Sequence, residues 1–250
     1  MNHTKKYFII CFLIILPVLS YSQRWKLQRA EITGGIGGVH YFGDIGGTAE
    51  ENNWMGLKDI DIVNTRPNIN IGGRYRLQED MSIKTNVVFG YLEGDDANSK
   101  NEARNYAFSS SVLEVSGQFE YSIIPEGTPV NFTIGNLRRG LKSSSATLNT
   151  YVFAGLGGAF FNVKPLDDLE DSDRFDDSQS MSLVIPLGAG IKYPLTNRMH
   201  IGFELGGRWT STDYIDGFTS RFSKHNDIYY FTMLNVVFKI ETLNRRLFKF

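Results

Sequence analysis

Eight segments of this chain, each about a dozen residues long, alternate polar and apolar side chains with the period of a β-strand. Met199–Asp213 shows the pattern best. Its apolar face carries Phe203 and Leu205, and its polar face carries His200 and Glu204. A period of two over this length predicts a strand with one apolar face and one polar face. Eight such strands in one chain predict an all-β fold.

The eight predicted strands are Glu31–Phe42, Pro67–Leu77, Met81–Glu93, Ser110–Ile124, Leu148–Val163, Met181–Tyr193, Met199–Asp213 and Ile228–Glu241. Their length and number are typical of a small outer-membrane barrel, whose apolar side chains face lipid and whose polar side chains face the lumen. We therefore predict an eight-stranded antiparallel transmembrane β-barrel. The competing interpretation is a soluble lipocalin-like barrel, which would turn its apolar faces inward.

The N-terminus predicts a secretory signal peptide over residues 1–22. Lys5 and Lys6 precede the apolar run Tyr7–Leu19, and small serines then lead to a cleavage site before Gln23. The only cysteine, Cys11, would be removed with this segment, so the mature chain, 23–250, would contain no thiol. It would retain 24 basic and 27 acidic side chains. This balance offers no basic stripe for nucleic acid.

The connections between strands alternate in length, as in barrels with long extracellular loops and short periplasmic turns. The predicted long loops are 43–66, 94–107, 164–180 and 214–227, and the short turns are 78–80 and 194–198. Both termini would then be periplasmic. The connection 125–147 departs from the rule, because it is long although it lies on the predicted periplasmic side.

Aromatic residues near the strand ends predict two girdles at the membrane surfaces, where their rings contact lipid and their polar atoms contact water. The predicted outer girdle contains Tyr41, Phe42, Tyr91, Phe160, Phe161, Trp209, Tyr229 and Tyr230. The predicted inner girdle contains Tyr75, Tyr121, Tyr151 and Tyr193. Two bands of this kind favour the membrane barrel over the soluble one.

The polar faces of the strands place nine charged side chains in the predicted lumen. The cations are Arg74, Arg76, Lys84, Lys192 and Arg208, and the anions are Glu31, Glu114, Glu120 and Glu204. Buried charges are costly unless they pair, and the near balance predicts that these do. Because an eight-stranded barrel is just wide enough for side chains to fill, we expect a plugged interior without a conductive channel.

The sequence contains no nucleophile motif, and we predict no catalytic, metal or cofactor site. His200 or His225 beside an aspartate could activate water, but both fit better as interior and loop residues. The acidic run Asp167–Asp177 lacks the glycine and terminal glutamate of a calcium loop, so a solvated acidic loop is the favoured interpretation.

The connection 125–147 carries Arg138, Arg139 and Lys142 and has no acidic residue after Glu126. One interpretation is a flexible loop or a contact with the inner leaflet. The other is a docking surface for a periplasmic partner, to which the basic tail 242–250 could contribute.

Several motifs resemble the PorG-like outer-membrane barrel family of Bacteroidota, which is associated with the type IX secretion system. They are Gly34–Asp44 (GGIGGVHYFGD), Gly94–Ala97, Leu113–Tyr121 (LEVSGQFEY), Tyr151–Gly158 (YVFAGLGG), Ile185–Tyr193 (IPLGAGIKY), Thr212–Ile215 (TDYI) and Asp227–Phe238. The resemblance implies a non-enzymatic part of a secretion machine. It also implies a partnership with a periplasmic ring formed by a lipoprotein and its partner, with no small-molecule substrate.

Three other functions remain open from the residues alone. The acidic loops could serve surface adhesion or membrane integrity. A barrel enzyme would need His200 or His225, and a small porin would need an interior less evenly charged than this one.

Overall fold

The computed structural model describes residues 28–42, 45, 65–96, 102–127, 129–136, 140–218 and 226–240. The predicted signal peptide, most of the loop 43–66 and the basic tail lie outside the described residues. Among the described residues, no helix is long and apolar enough to cross a bilayer.

Ten strands form in the described chain. They are β1 (Ala30–Phe42), β2 (Arg66–Arg76), β3 (Met81–Asp95), β4 (Tyr106–Ile124), β5 (Pro129–Asn136), β6 (Gly140–Thr147), β7 (Asn149–Asp167), β8 (Met181–Pro194), β9 (Met199–Thr210) and β10 (Ile228–Ile240). Eight of them close a barrel in the order β1-β10-β9-β8-β7-β4-β3-β2, and every pairing is antiparallel. This confirms the predicted fold class.

The pairing of β1 with β10 closes the barrel, from Ala30 opposite Ile240 to Phe42 opposite Ile228. Closure leaves no edge strand in the barrel sheet. Glycine is required at this seam, because a Cβ at Gly37 would clash with the backbone of Thr232 on β10.

The barrel wall is inverted relative to a soluble protein. Apolar side chains alternate outward, and the most exposed, Leu156 at 71%, belongs to a band that includes Ile36 and Leu183. Charged and amide side chains alternate inward and are buried. An apolar exterior of this extent would drive association in water, whereas lipid accommodates it.

The aromatic girdles form in part. Tyr75, Tyr121, Tyr193, Tyr91 and Phe160 are exposed on the outside of the wall. The prediction is wrong for four residues whose strand parity turns them inward: Tyr41, Tyr151, Phe161 and Tyr229. Tyr230 is also buried.

The connection 125–147 contains two strands that the sequence analysis did not predict. β5 and β6 form an antiparallel ribbon in a sheet separate from the barrel. Their register runs from Pro129 opposite Thr147 to Asn136 opposite Gly140. The alternation of Val130, Phe132 and Ile134 with polar residues accounts for the strand conformation.

Candidate functional site at the turn end of the barrel

The two ends of the barrel differ in their connections. At one end lie the turns 77–80 and 195–198 and the ribbon β5–β6, and this is named the turn end. At the other, the loop end, the longer connections begin. The predicted interior charges are divided between the half of the lumen near the turn end and the half near the loop end. Most of them lie in the half near the turn end.

Arg74, on β2, is the centre of the cluster at the turn end. Its guanidinium lies 3.0 Å from a Glu31 carboxylate oxygen and 2.5 Å from Glu120. A third carboxylate, that of Glu204, lies 3.4 Å away. These partners come from β1, β4 and β9, so a single cation links strands from around the barrel.

Lys84, on β3, extends this network across the lumen. Its Nζ lies 2.7 Å from both carboxylate oxygens of Glu204 on β9. The Tyr151 hydroxyl donates to the same carboxylate at 2.6 Å. β3 and β9 are not neighbours in the sheet. The ion pair therefore occupies the section through which an ion would have to pass.

The remaining interior cations of this half, Arg76 and Lys192, contact Glu31 at 3.2 Å and 3.3 Å. All nine predicted interior charges are buried. The structure brings seven of them together in this cluster, which comprises Glu31, Arg74, Arg76, Lys84, Glu120, Lys192 and Glu204.

Glu126, in the turn that follows β4, extends the cluster at the turn end of the barrel. Its carboxylate lies 2.6 Å from Lys239 Nζ and 2.9 Å from His200 Nε2, and it also pairs with Arg76. Burial acts to raise the pKa of this carboxyl. The contact with His200 and the charges of Lys192, Arg76 and Lys239 outweigh burial and hold the pKa well below its ordinary 4.5. Glu126 is therefore ionised in the folded protein, and it holds the turn after β4 to Arg76, His200 and Lys239.

The sequence analysis missed Glu126, which lies in a turn where no periodicity assigns a direction. It also missed Lys239, although Lys239 lies in the predicted strand Ile228–Glu241 and shares the parity of the buried Asn235. The sequence signal for Lys239 was its strand parity, and that for Glu126 was its place as the last acidic residue before the basic stretch.

Asn149 ties the two stems of the ribbon together at the barrel. Its amide nitrogen donates to the Ile124 carbonyl at 2.8 Å and to the Ser122 hydroxyl at 3.0 Å. The ribbon thus leaves the barrel from a base held by Asn149 and Glu126. Of the predicted partner contacts, Lys142 lies on β6 opposite Ile134. Arg138 and Arg139 lie outside the described residues.

The half of the lumen towards the loop end is mainly apolar, which the sequence analysis did not predict. It holds one buried ion pair among the nine charges, Glu114 with Arg208 at 3.2 Å. The Tyr229 hydroxyl donates to Glu114 at 2.9 Å, and Arg208 lies 4.7 Å from the centre of the Phe231 ring. The adjoining cluster of buried side chains includes Val39, Val88, Leu92, Phe108, Val112, Phe161, Val184 and Met233.

Residues from the connections complete this apolar half. Leu169, Ile215 and Phe218 are buried in the same cluster. Arg104 forms two hydrogen bonds with Asp96, at 2.6 Å and 2.9 Å, and its guanidinium lies 4.9 Å from the centre of the Phe218 ring. We name these five residues and the described parts of their connections, 96, 102–105, 168–180 and 211–218, the cap. The cap is packed into the barrel mouth.

A buried carboxyl, Asp227, lies beneath the cap. It accepts a hydrogen bond from the Tyr41 hydroxyl at 2.6 Å and another from the Ile215 backbone N–H at 2.9 Å. Burial raises the pKa of Asp227 well above its ordinary value, and the neighbouring carboxyls of Asp216 and Asp213 raise it further.

The possible catalytic and metal-binding residues do not come together as a reactive site in the part of the chain that is described. His200 contacts Glu126 beside the barrel floor, and His225 lies outside the described residues. Most side chains of Asp167–Asp177 are exposed. No group of three His, Cys, Asp or Glu side chains in the described ranges could hold a metal ion.

Several solved structures share the barrel architecture at low sequence identity. OprG from Pseudomonas aeruginosa is 11% identical with a TM-score of 0.46, over 86% of this chain and 97% of that one. Neisserial surface protein A is 10% identical with a TM-score of 0.44, over 84% and 97%. A major outer membrane protein from Thermus thermophilus is 12% identical with a TM-score of 0.43, over 84% and 99%. Similarity this distant supports no argument about activity.

No curated protein matches the chain. A family model does match, over residues 5–238, which is almost the whole chain. The chain belongs to the family described as "Domain of unknown function (DUF6089)".

Proposed function

We propose that this protein is a non-enzymatic outer-membrane barrel that anchors a protein assembly on the periplasmic side. The observation that carries the proposal is the ribbon β5–β6, which forms a sheet separate from the barrel and is connected to a barrel end fastened by Glu126 and Asn149. A membrane barrel with an additional sheet outside its wall is suited to holding a partner.

The location follows from the exterior of the barrel. Its apolar wall needs lipid, and closed barrels with short turns at one end are the outer-membrane solution to this need. In such barrels the short turns face the periplasm, so the turn end and its ribbon would lie there. Outer-membrane lipid is then the first partner.

The identity of the assembly rests on the resemblance to the PorG-like family. That resemblance points to the type IX secretion system, and to its periplasmic ring of a lipoprotein and its partner. The basic side chains of Arg138, Arg139 and Lys142 would contribute charge to the contact.

The filled interior supports an anchor rather than a channel or an enzyme. The pair Lys84–Glu204 crosses the lumen at 2.7 Å, and the cap packs into the opposite mouth. The interior charges described above are engaged in ion pairs and hydrogen bonds instead of facing an open cleft.

The test is affinity purification of the tagged protein from outer membranes in mild detergent, followed by mass spectrometry. We expect the ring lipoprotein and its partner to be recovered. The variant Arg138→Glu/Arg139→Glu/Lys142→Glu should lose them while the barrel stays folded. A matched control reverses two exposed cations at the loop end, Lys164→Glu and Arg174→Glu, and should retain them. Recovery of a bare barrel from wild-type membranes would contradict the proposal.

A further inference from the structure

Among the described residues, each strand of the ribbon differs from every barrel strand in having one unpaired side. Each barrel strand has two hydrogen-bonded neighbours in the closed sheet. Within the described residues, β5 and β6 pair only with each other, over eight residues each. In an antiparallel pair about half of the backbone N–H and C=O groups point away from the partner strand. As far as the described residues show, both outer edges of the ribbon therefore present rows of backbone groups.

The two edges are not equivalent. β5 begins with Pro129, which has no N–H, whereas β6 (Gly140–Thr147) contains no proline. Proline weakens an edge as a template for another strand. The edge of β6 is therefore the better template.

A third strand would also increase the stability of the two-stranded ribbon. An isolated two-stranded hairpin is marginally stable in water, and independent stability requires at least three strands or packing against another element. An added strand would supply backbone hydrogen bonds, the usual source of affinity when a peptide joins a sheet edge.

The basic charge of the ribbon favours an added strand that carries acidic side chains. Residues 129–147 contain three basic side chains and no acidic one. Opposite charges on neighbouring strands stabilise the pairing, and like charges oppose it.

We propose that β6 is a strand-addition site, at which an extended acidic segment of a periplasmic protein pairs as a third strand of the ribbon. This rests on the proposed function and specifies how the partner is held. Backbone pairing provides the affinity, and the positive charge of the ribbon selects acidic segments.

The probe is a blocked octapeptide of alternating valine and glutamate, added to the full-length protein in detergent micelles. Its matched control is the same peptide methylated at every backbone nitrogen, which keeps charge and side chains but removes all N–H donors. We expect methylation to weaken binding by about tenfold or more, since several hydrogen bonds are lost. We also expect amide exchange to slow at every second residue of β6 but not of β5. A variant lacking residues 128–147 should not bind.

Three results would overturn the inference. Equal binding of both peptides would show that charge alone holds an acidic segment. Binding of neither would show that Lys142 protects the edge, as lysine does on many edge strands. Protection of the whole ribbon by phosphatidylglycerol vesicles, without protection by the peptide, would assign it to the membrane surface. The proposed function fails separately, if the peptide binds but no ring protein is recovered with the tagged barrel.

Discussion

The two halves of the lumen are lined by the same faces of the same strands, yet they are filled in different ways. Towards the turn end, seven charged side chains pair across the barrel around Arg74. Towards the loop end, the lining is an apolar cluster with a single ion pair among the nine predicted charges, Glu114–Arg208.

The difference shows that an inward-facing position does not by itself require a polar residue. Buried charges tolerate the interior because each has an opposite charge nearby. Apolar side chains tolerate it where loop residues such as Leu169 and Phe218 seal the mouth from water. The charged half also holds Glu126, and through it the base of the ribbon. The loop-end half holds the cap.

The largest effect is expected from removing the central cation of the charged half. Arg74→Met leaves Glu31, Glu120 and Glu204 without their shared partner, and loss of one member of a buried ion pair costs about 3–5 kcal/mol. Urea unfolding in lipid vesicles, followed by tryptophan fluorescence, measures this change. The control Arg174→Met alters an exposed arginine of the cap and should change little. A small effect at Arg74 would show that water, rather than protein charge, satisfies this half.

In the apolar half, Leu169→Ala should cost about 2–5 kcal/mol, because it leaves a cavity beneath the cap. Leu169 is fully buried, whereas Leu166, near the end of β7, is 39% exposed and is the matched control. The free energy of unfolding and the rate of proteolysis within 164–180 report the loss. Equal behaviour of Leu166→Ala and Leu169→Ala would show that the cap does not stabilise this half.

Glu126→Gln tests the tether of the charged half and should cost about 2 kcal/mol at pH 7, the scale of hydrogen bonds to charged groups. Because the folded-state pKa of Glu126 is lowered, its contribution is complete above its unfolded value near 4.5 and is lost as pH falls below it.

The measurement is the difference in unfolding free energy between Glu126→Gln and wild type at pH 7 and pH 3. This difference should shrink at the lower pH. If it is the same at both, the carboxylate charge does not hold the turn.

The smallest effect is expected at Asp227, in the half of the lumen near the loop end. Its folded-state pKa is raised, so wild type loses stability as pH rises from 3.8 through the folded value. Asp227→Asn cannot ionise and should lose about 1 kcal/mol less than wild type over this range. Melting temperatures at pH 4 and pH 8 test this, with Asp177→Asn as an exposed control. Parallel pH profiles for wild type and Asp227→Asn would contradict it.

The alternation of side chains identified most of the fold. Each of the eight predicted barrel strands overlaps an observed one, because period two assigns a face to every residue of a strand. The same parity identified the interior charges, such as Arg74 and Glu204. The prediction of the aromatic girdles was wrong for Tyr151 and Tyr229, because a position near a strand end does not determine which face of the strand a residue occupies, whereas parity does.

Other parts of the candidate site could not be predicted from pattern. Glu126 lies in a turn, where no periodicity assigns a direction, and the ribbon lies in a segment interpreted as a loop. Leu169 and Phe218 are ordinary apolar residues of loops until the chain folds back over the mouth and buries them in the cap.

The sequence by itself determined the number of barrel strands, the face that each residue occupies and the near balance of charge inside. These depend on neighbours along the chain, so periodicity is sufficient to read them. Only the tertiary structure decided which charges meet, how the cap seals one mouth and how Glu126 fastens the ribbon. Those contacts join residues far apart in sequence, such as Lys84 and Glu204, and closure of the barrel is what brings them together.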